Sequence, residues 1–145
     1  ATDSTHAVWV TPGPAFSAWQ STLQSIPNST TTKLLFQTEE FDTASCFASS
    51  RFTPNVEGYY PVSGGYQKAA AGEMNLYLSK TGSIYKALSV DTSADAVFAS
   101  GSAIVYMNGT TDYIELFAFQ ATGGAVDTTA NQSLTYFQAF LARAA

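Results

Sequence analysis

The sequence predicts an all-β sandwich of two antiparallel sheets, and three observations carry that prediction. About ten short runs alternate apolar and polar residues, with the period of two that a half-buried strand requires. Gly, Pro, Asn and Asp punctuate those runs at regular intervals. No stretch carries the apolar period of an amphipathic helix; Ala69-Ala70-Ala71-Gly72 favours helix but is too short to stand alone. The chain length agrees, since 145 residues make one domain with a sizeable core.

In chain order, residues 1–13 read as an N-terminal arm, with a short strand expected at 7–10 before Pro12-Gly13-Pro14 breaks it. AFSAWQ (15–20) sets Ala15, Ser17 and Trp19 on one side and Phe16 and Ala18 on the other. A polar loop follows, and 33–41 supplies the next strand. Residues 42–50 are small and polar, a loop pinned by Phe47. A short strand at 51–53 ends in the turn Pro54-Asn55.

GYYPVSGGYQ (58–67) is strand-like, but Pro61 and Gly64-Gly65 are awkward in a central strand. Either a bulge is expected there, or a Pro61 nitrogen turned away from any ladder. EMNLYLSK (73–80) alternates Met74, Leu76 and Leu78 inward, and Thr81-Gly82-Ser83 turns it into 84–90 as a hairpin. Runs 97–107 and 113–120 flank Asn108-Gly109, a hairpin signal between two apolar strands. LTYFQAFL (134–141) is the last strand. The expected core is Phe16, Phe36, Phe52, Tyr60, Leu76, Leu78, Ile114, Leu116 and Phe137.

Composition narrows the function. Residues are 46% hydrophobic and 14% aromatic, which excludes disorder. Only 12% are charged, against roughly 25% in an average domain. Such a surface is finished with hydroxyls and amides or is buried in an oligomer. Six basic and eleven acidic residues leave a net charge of −5, with no basic stripe for nucleic acid and little attraction to an anionic membrane. No apolar run approaches the ~18 residues that span a membrane. Cys46 is the sole cysteine, so neither an internal disulfide nor a cysteine-based zinc site is available. The residues at the start lack the basic and apolar segments of a secretory signal.

A family resemblance then selects among sandwiches. In FQTEEFDTASCFASSRFTPNVEGYYPVSGGY (36–66), Phe36, Asp42, Phe47, Phe52, Gly58, Tyr60, Val62 and Tyr66 stand at spacings that resemble the central motif of the complement C1q globular-head family. That family shares its jelly roll with tumour necrosis factor, and it usually has an aromatic where Val62 stands. AFSAWQ is similar to its opening strand and LTYFQAFL to its closing one. The resemblance runs from Pro14 to Leu141 and implies a jelly-roll domain over 14–145.

Chemistry points away from an enzyme. His6, the only histidine, lies in the arm. Glu39 and Glu40 are neighbours on a strand and point to opposite faces, unlike a glycosidase pair. No phosphate loop, dinucleotide fingerprint or His-rich motif occurs. The C1q resemblance instead implies a homotrimer that recognises a target through loops at one end while a stalk joins the other. Low charge, abundant Ser and Thr, and the absence of disulfides resemble the phage and bacterial members. The reading is therefore a recognition head of a virion or surface fibre, extracellular or on the virion surface, binding a host surface glycan or protein. A purely structural trimerising cap and a secreted C1q/TNF-like ligand of a eukaryotic receptor are the alternatives.

The ligand loops are expected at 85–95 and 108–113, with Tyr85, Asp91, Asp95 and Asp112 as contact residues. No cofactor is required. The same aspartates are candidate ligands for calcium, which some C1q-like domains hold near the apex, although turn-forming Asp is the simpler reading. The trimer interface is expected on Tyr113, Glu115, Phe117 and Phe119, the phase opposite Ile114, Leu116 and Ala118. In the family the matching strand lines the three-fold axis. Glu115 would need a lysine, water, a cation or a proton there.

Overall fold

The computed structural model describes residues 13–145, and among them every regular element is a strand. The strand expected at 7–10, together with His6 and Trp9, lies outside the described residues. The first six elements are β1 (Ala15–Trp19), β2 (Ser25–Ile26), β3 (Thr32–Lys33), β4 (Thr38–Asp42), β5 (Phe47–Ala48) and β6 (Arg51–Phe52). Four long strands follow, β7 (Gly58–Gln67), β8 (Glu73–Lys80), β9 (Ser83–Asp91) and β10 (Phe98–Met107). The chain closes with β11 (Ile114–Ala121), β12 (Val126–Asp127), β13 (Tyr136–Phe140) and β14 (Arg143–Ala144).

Two antiparallel sheets make the sandwich. The first runs β10-β7-β13-β1-β4, with β14 also on β7; the second runs β5-β6-β11-β8-β9, with β3 also on β11. A small β12-β2 pair sits beside them. Chain neighbours repeatedly fall in opposite sheets, the mark of a jelly roll. All nine residues of the expected core are buried between the sheets. Phe16 organises one end of that core. Its ring stacks on Phe47 at 4.5 Å, tilts against Phe52 at 4.5 Å and meets the Phe137 ring edge-on at 4.9 Å.

Buried tyrosines keep their hydroxyls bonded. Tyr60 donates to the Val56 carbonyl at 2.7 Å and Tyr66 to the Phe119 carbonyl at 2.8 Å. Burial pushes the Tyr60 phenol up to about 12. Among the described residues, no buried side-chain polar atom lacks a partner.

Several local expectations change in the folded chain. The β8–β9 hairpin forms as read, with Thr81 (φ 49) and Gly82 (φ 85) both left-handed as a two-residue primed turn needs. Asn108-Gly109 makes no hairpin. β10 pairs with β7 in one sheet and β11 with β8 in the other, so the turn carries the chain between sheets. Its geometry is nevertheless tight. Asn108 Oδ1 accepts the amides of Thr110, Thr111 and Asp112, and a Cβ at Gly109 (φ 71) would meet the Glu57 nitrogen at 2.4 Å.

The run 33–41 is likewise split, β3 joining the second sheet and β4 the first. The expected loop 42–50 contains β5, which pairs with β6 through the two-residue turn Ser49-Ser50, both at positive φ. β7 carries no bulge at Pro61. It pairs continuously with β10, while the β13 ladder on its other side ends at Val62 and β14 resumes at Tyr59. A neighbouring strand that breaks opposite a proline loses no ladder bond to the missing N–H. Gly64 admits close sheet packing, because a Cβ there would sit 2.3 Å from Leu116 Cδ1.

Candidate functional site

Which strand faces point outward decides where a partner can sit. On β10, Phe98, Ile104 and Tyr106 point out while Ala99, Val105 and Met107 point in. Across the ladder, Tyr106 stands opposite Tyr59 and Ile104 opposite Pro61. The Tyr59 and Tyr106 rings lie 5.7 Å apart. Phe140 on β13 and Phe41 on β4 are about half exposed, at 52% and 50%, and Ile104 reaches 62%. Phe41, Pro61, Ser63, Ser102, Gln138 and Phe140 line a hollow of about 430 Å³ in this face. The outer face of the first sheet is therefore an apolar surface with aromatic projections and a recess.

The second sheet carries β11, on which the trimer interface is expected from the sequence. Tyr113, Phe117 and Phe119 are half-buried rather than open. Glu115 is 4% exposed and already neutralised within the chain. Lys33 Nζ lies 3.2 Å and Arg51 Nε 2.5 Å from its Oε1. The Arg51 guanidinium also lies over the Tyr113 ring, 3.8 Å from its centroid. Alternation along β11 is correct, and Lys33 of β3 and Arg51 of β6 reach over its outward phase at Glu115 and Tyr113. Two-residue strands such as β3 and β6 are too short to show an alternation in the sequence, so the partners of Glu115 emerge only in the folded chain.

The four expected ligand residues do not converge. In the β8–β9 ladder Met74 faces Asp91 and Lys80 faces Ser83, while β11 sets Ile114 against Lys80. Asp112 and Tyr85 consequently lie near one end of β8, and Asp91 and Asp95 near the other. Six strand residues separate those ends by ~20 Å. The expected contact residues of 85–95 and 108–113 thus occupy two separate places.

At the first, Asp112 accepts the Lys80 ammonium at 3.0 Å and the Asn108 amide at 3.0 Å. Lys80 also donates to the Tyr106 carbonyl at 2.7 Å and faces the Tyr85 and Tyr106 rings at 6.0 and 5.5 Å. Burial opposes ionisation of Asp112, but Lys80, the Asn108 amide and Thr81 outweigh it and hold the carboxyl below its ordinary value. At the second, Asp91 Oδ1 accepts the Ser93 amide, an Asx turn that lowers its pKa.

Beside that second place the buried Lys68 ammonium donates to the carbonyls of Ala70 (2.6 Å), Gly72 (2.9 Å) and Ala96 (2.7 Å). Loop carbonyls of the kind a hard cation would take there already hold a lysine. Among the described residues no three His, Cys, Asp or Glu side chains group so as to hold a metal ion. Burial pushes the Cys46 thiol up, with the Asp42 carboxylate adding to it and the Asn55 backbone opposing.

The sandwich with this strand order defines a C1q/TNF-like jelly roll. Solved structures similar to it include the globular domain of zebrafish complement 1qA protein, at 18% identity and TM-score 0.65 over 91% of this chain and 99% of that one. Murine APRIL matches at 11% identity and TM-score 0.66, over 88% and 98% of the two chains. Eiger TNF from S. frugiperda matches at 12% identity and TM-score 0.65, over 93% and 96%. No family model matches the sequence, and no curated protein does. At such identities the likeness concerns the fold.

Proposed function

We propose that this domain is a non-enzymatic, homotrimeric recognition head. The observation that supports it is the apolar outer face of the first sheet, where Phe41, Tyr59, Phe98, Ile104, Tyr106 and Phe140 stand exposed. A monomer in water avoids such a face, whereas a closed cyclic assembly buries it. The projecting Ile104 and Tyr106 and the recess beside Phe41 and Phe140 lie at different points of one sheet. A head-to-tail contact that closes after three copies uses both. This reading moves the interface from Tyr113, Glu115, Phe117 and Phe119 to the other sheet.

The carrier is a virion or surface fibre, and the target a host surface glycan or protein. Low charge, a hydroxyl-rich surface and the absence of disulfides support that assignment. The competing reading, a secreted ligand of a eukaryotic receptor, has the animal C1q and TNF structures above in its favour.

Light scattering on the purified chain should return three times its 15.4 kDa mass, and Ile104→Lys should reduce it to one. A wild-type monomer at micromolar concentration overturns the trimer. Glycan-array binding by the trimer separates a recognition head from a structural cap.

A further inference from the structure

The geometry points to an acidic-saccharide site in the open pocket beside Arg51 and Lys33, on the opposite side of the sandwich from the apolar face. The pocket holds about 480 Å³ and is lined by Lys33, Ser45, Cys46, Ala48, Ser49, Arg51 and Thr53. Two of the chain's six basic residues stand here. Both are directed to one carboxylate oxygen, Glu115 Oε1, so the trio carries a net charge of +1 in a chain of net −5. Asp42 is near in sequence but does not line the pocket, and its two oxygens accept the amides of Cys46 and Phe47.

Arg51 is preorganised for an oxyanion. Its Nε is engaged with Glu115 and its plane rests against Tyr113. Among the described residues its terminal amino groups bond to nothing, and its side chain is 44% exposed. A fork fixed by a ring and a carboxylate loses little entropy when a carboxylate or sulfate docks on it. Lys33 is held by the Ser49 carbonyl at 2.9 Å as well as by Glu115, leaving one of its three donors.

The remaining lining supplies three hydroxyls, from Ser45, Ser49 and Thr53, around a volume larger than one oxyanion fills. Hydroxyls beside a fixed cation match the hydroxyls and the acidic group of a carboxylated or sulfated sugar. The left-handed Ser49 and Ser50 close the two-residue β5–β6 turn and so fix the rim that carries Ala48 and Arg51.

This assignment rests on the recognition reading and gives it a ligand class. Its test distinguishes the two, because saccharide binding located elsewhere on the domain keeps that reading and removes this site. Backbone amide shifts of the intact protein are followed by NMR during titration with glucuronic acid, a sulfated disaccharide, neutral N-acetylglucosamine and inorganic sulfate. The expected result is saturable shifts confined to residues 45–53 and 33 for the acidic sugars. Neutral sugar should give none, and sulfate should bind at least tenfold more weakly.

Ala48 is the cross-strand partner of Arg51. Ala48→Asp therefore places a carboxylate on the fork while leaving Glu115 paired, and should abolish the shifts with an unchanged melting curve. Arg51→Lys keeps a charge for Glu115 but loses the fork, and should weaken acidic-sugar binding at least fivefold. Equal binding of sulfate and saccharide means an adventitious ion only and overturns the proposal. So do equal binding of the neutral sugar, undiminished binding by folded Ala48→Asp, or silence at residues 45–53.

Discussion

Arg51 Nε meets Glu115 Oε1 at 2.5 Å, joining the β6 end of a two-residue hairpin to a buried carboxylate in the middle of the second sheet. The contact turns a charged residue on an apolar strand from a liability into a fixed point, with Lys33 as second partner. Arg51→Ala removes the closer cation and the cover over Tyr113 while Lys33 remains. Its expected cost is about 1–3 kcal/mol, the range for stripping a partner from a buried polar group. Glu115→Gln should cost less, because it removes the buried charge as well as the ion pair. Denaturant melts of both variants check the order, and an Arg51→Ala melt identical to wild type contradicts the buried-pair account.

Phe52 is fully buried, with Phe16 at 4.5 Å on one side and Tyr60 at 5.7 Å on the other. Phe52→Ala should destabilise the domain by about 3–5 kcal/mol through lost transfer energy and the cavity left behind. Phe41→Ala, also a phenylalanine but half exposed on the apolar face, should cost the isolated protomer far less. Its effect should appear in the oligomer mass instead.

The Lys68 ammonium ties together three carbonyls from two segments, 70–72 and 96. Lys68→Met keeps most of the stem volume and removes the charged donor. Loss of about 1–3 kcal/mol is expected. Amides of residues 70–72 and 96 should exchange faster than in wild type while those of β7 and β11 change little. Uniform exchange across the chain would show that Lys68 is not a local clasp.

Acid should weaken the 108–112 turn. Asp112 titrates below its ordinary value of 3.8, so between its folded value and 3.8 the unfolded chain binds more protons. Stability therefore rises with pH across that window. The contribution is fully present above about pH 3.8 and disappears as pH falls through the folded value. Asp112→Asn should flatten that part of the stability profile. An unchanged acid limb would place the pH dependence on other carboxylates.

The sequence alone determined the strand content and the inward phase of the long strands. Met74, Leu76 and Leu78 on β8 and Ile114 and Leu116 on β11 are buried because a period of two commits every second side chain to one face. Local turn chemistry was equally legible at Thr81-Gly82, where two left-handed residues close the hairpin. The C1q-like spacing from Phe36 to Tyr66 put the aromatic core in place.

Which sheet each strand joins, and which side chains meet across it, was settled by tertiary contacts. Asn108-Gly109 specifies a tight turn, but a turn of that kind serves a hairpin or a crossing between sheets equally well. Glu115 is an isolated charge on an apolar strand until Lys33 of β3 and Arg51 of β6 are laid beside it. Asp91 and Asp112 look like one site until antiparallel pairing sets them at opposite ends of β8. Alternation is a property of one strand and is written locally. Pairing, cover and convergence come from contacts between residues distant in the chain, which no local period encodes.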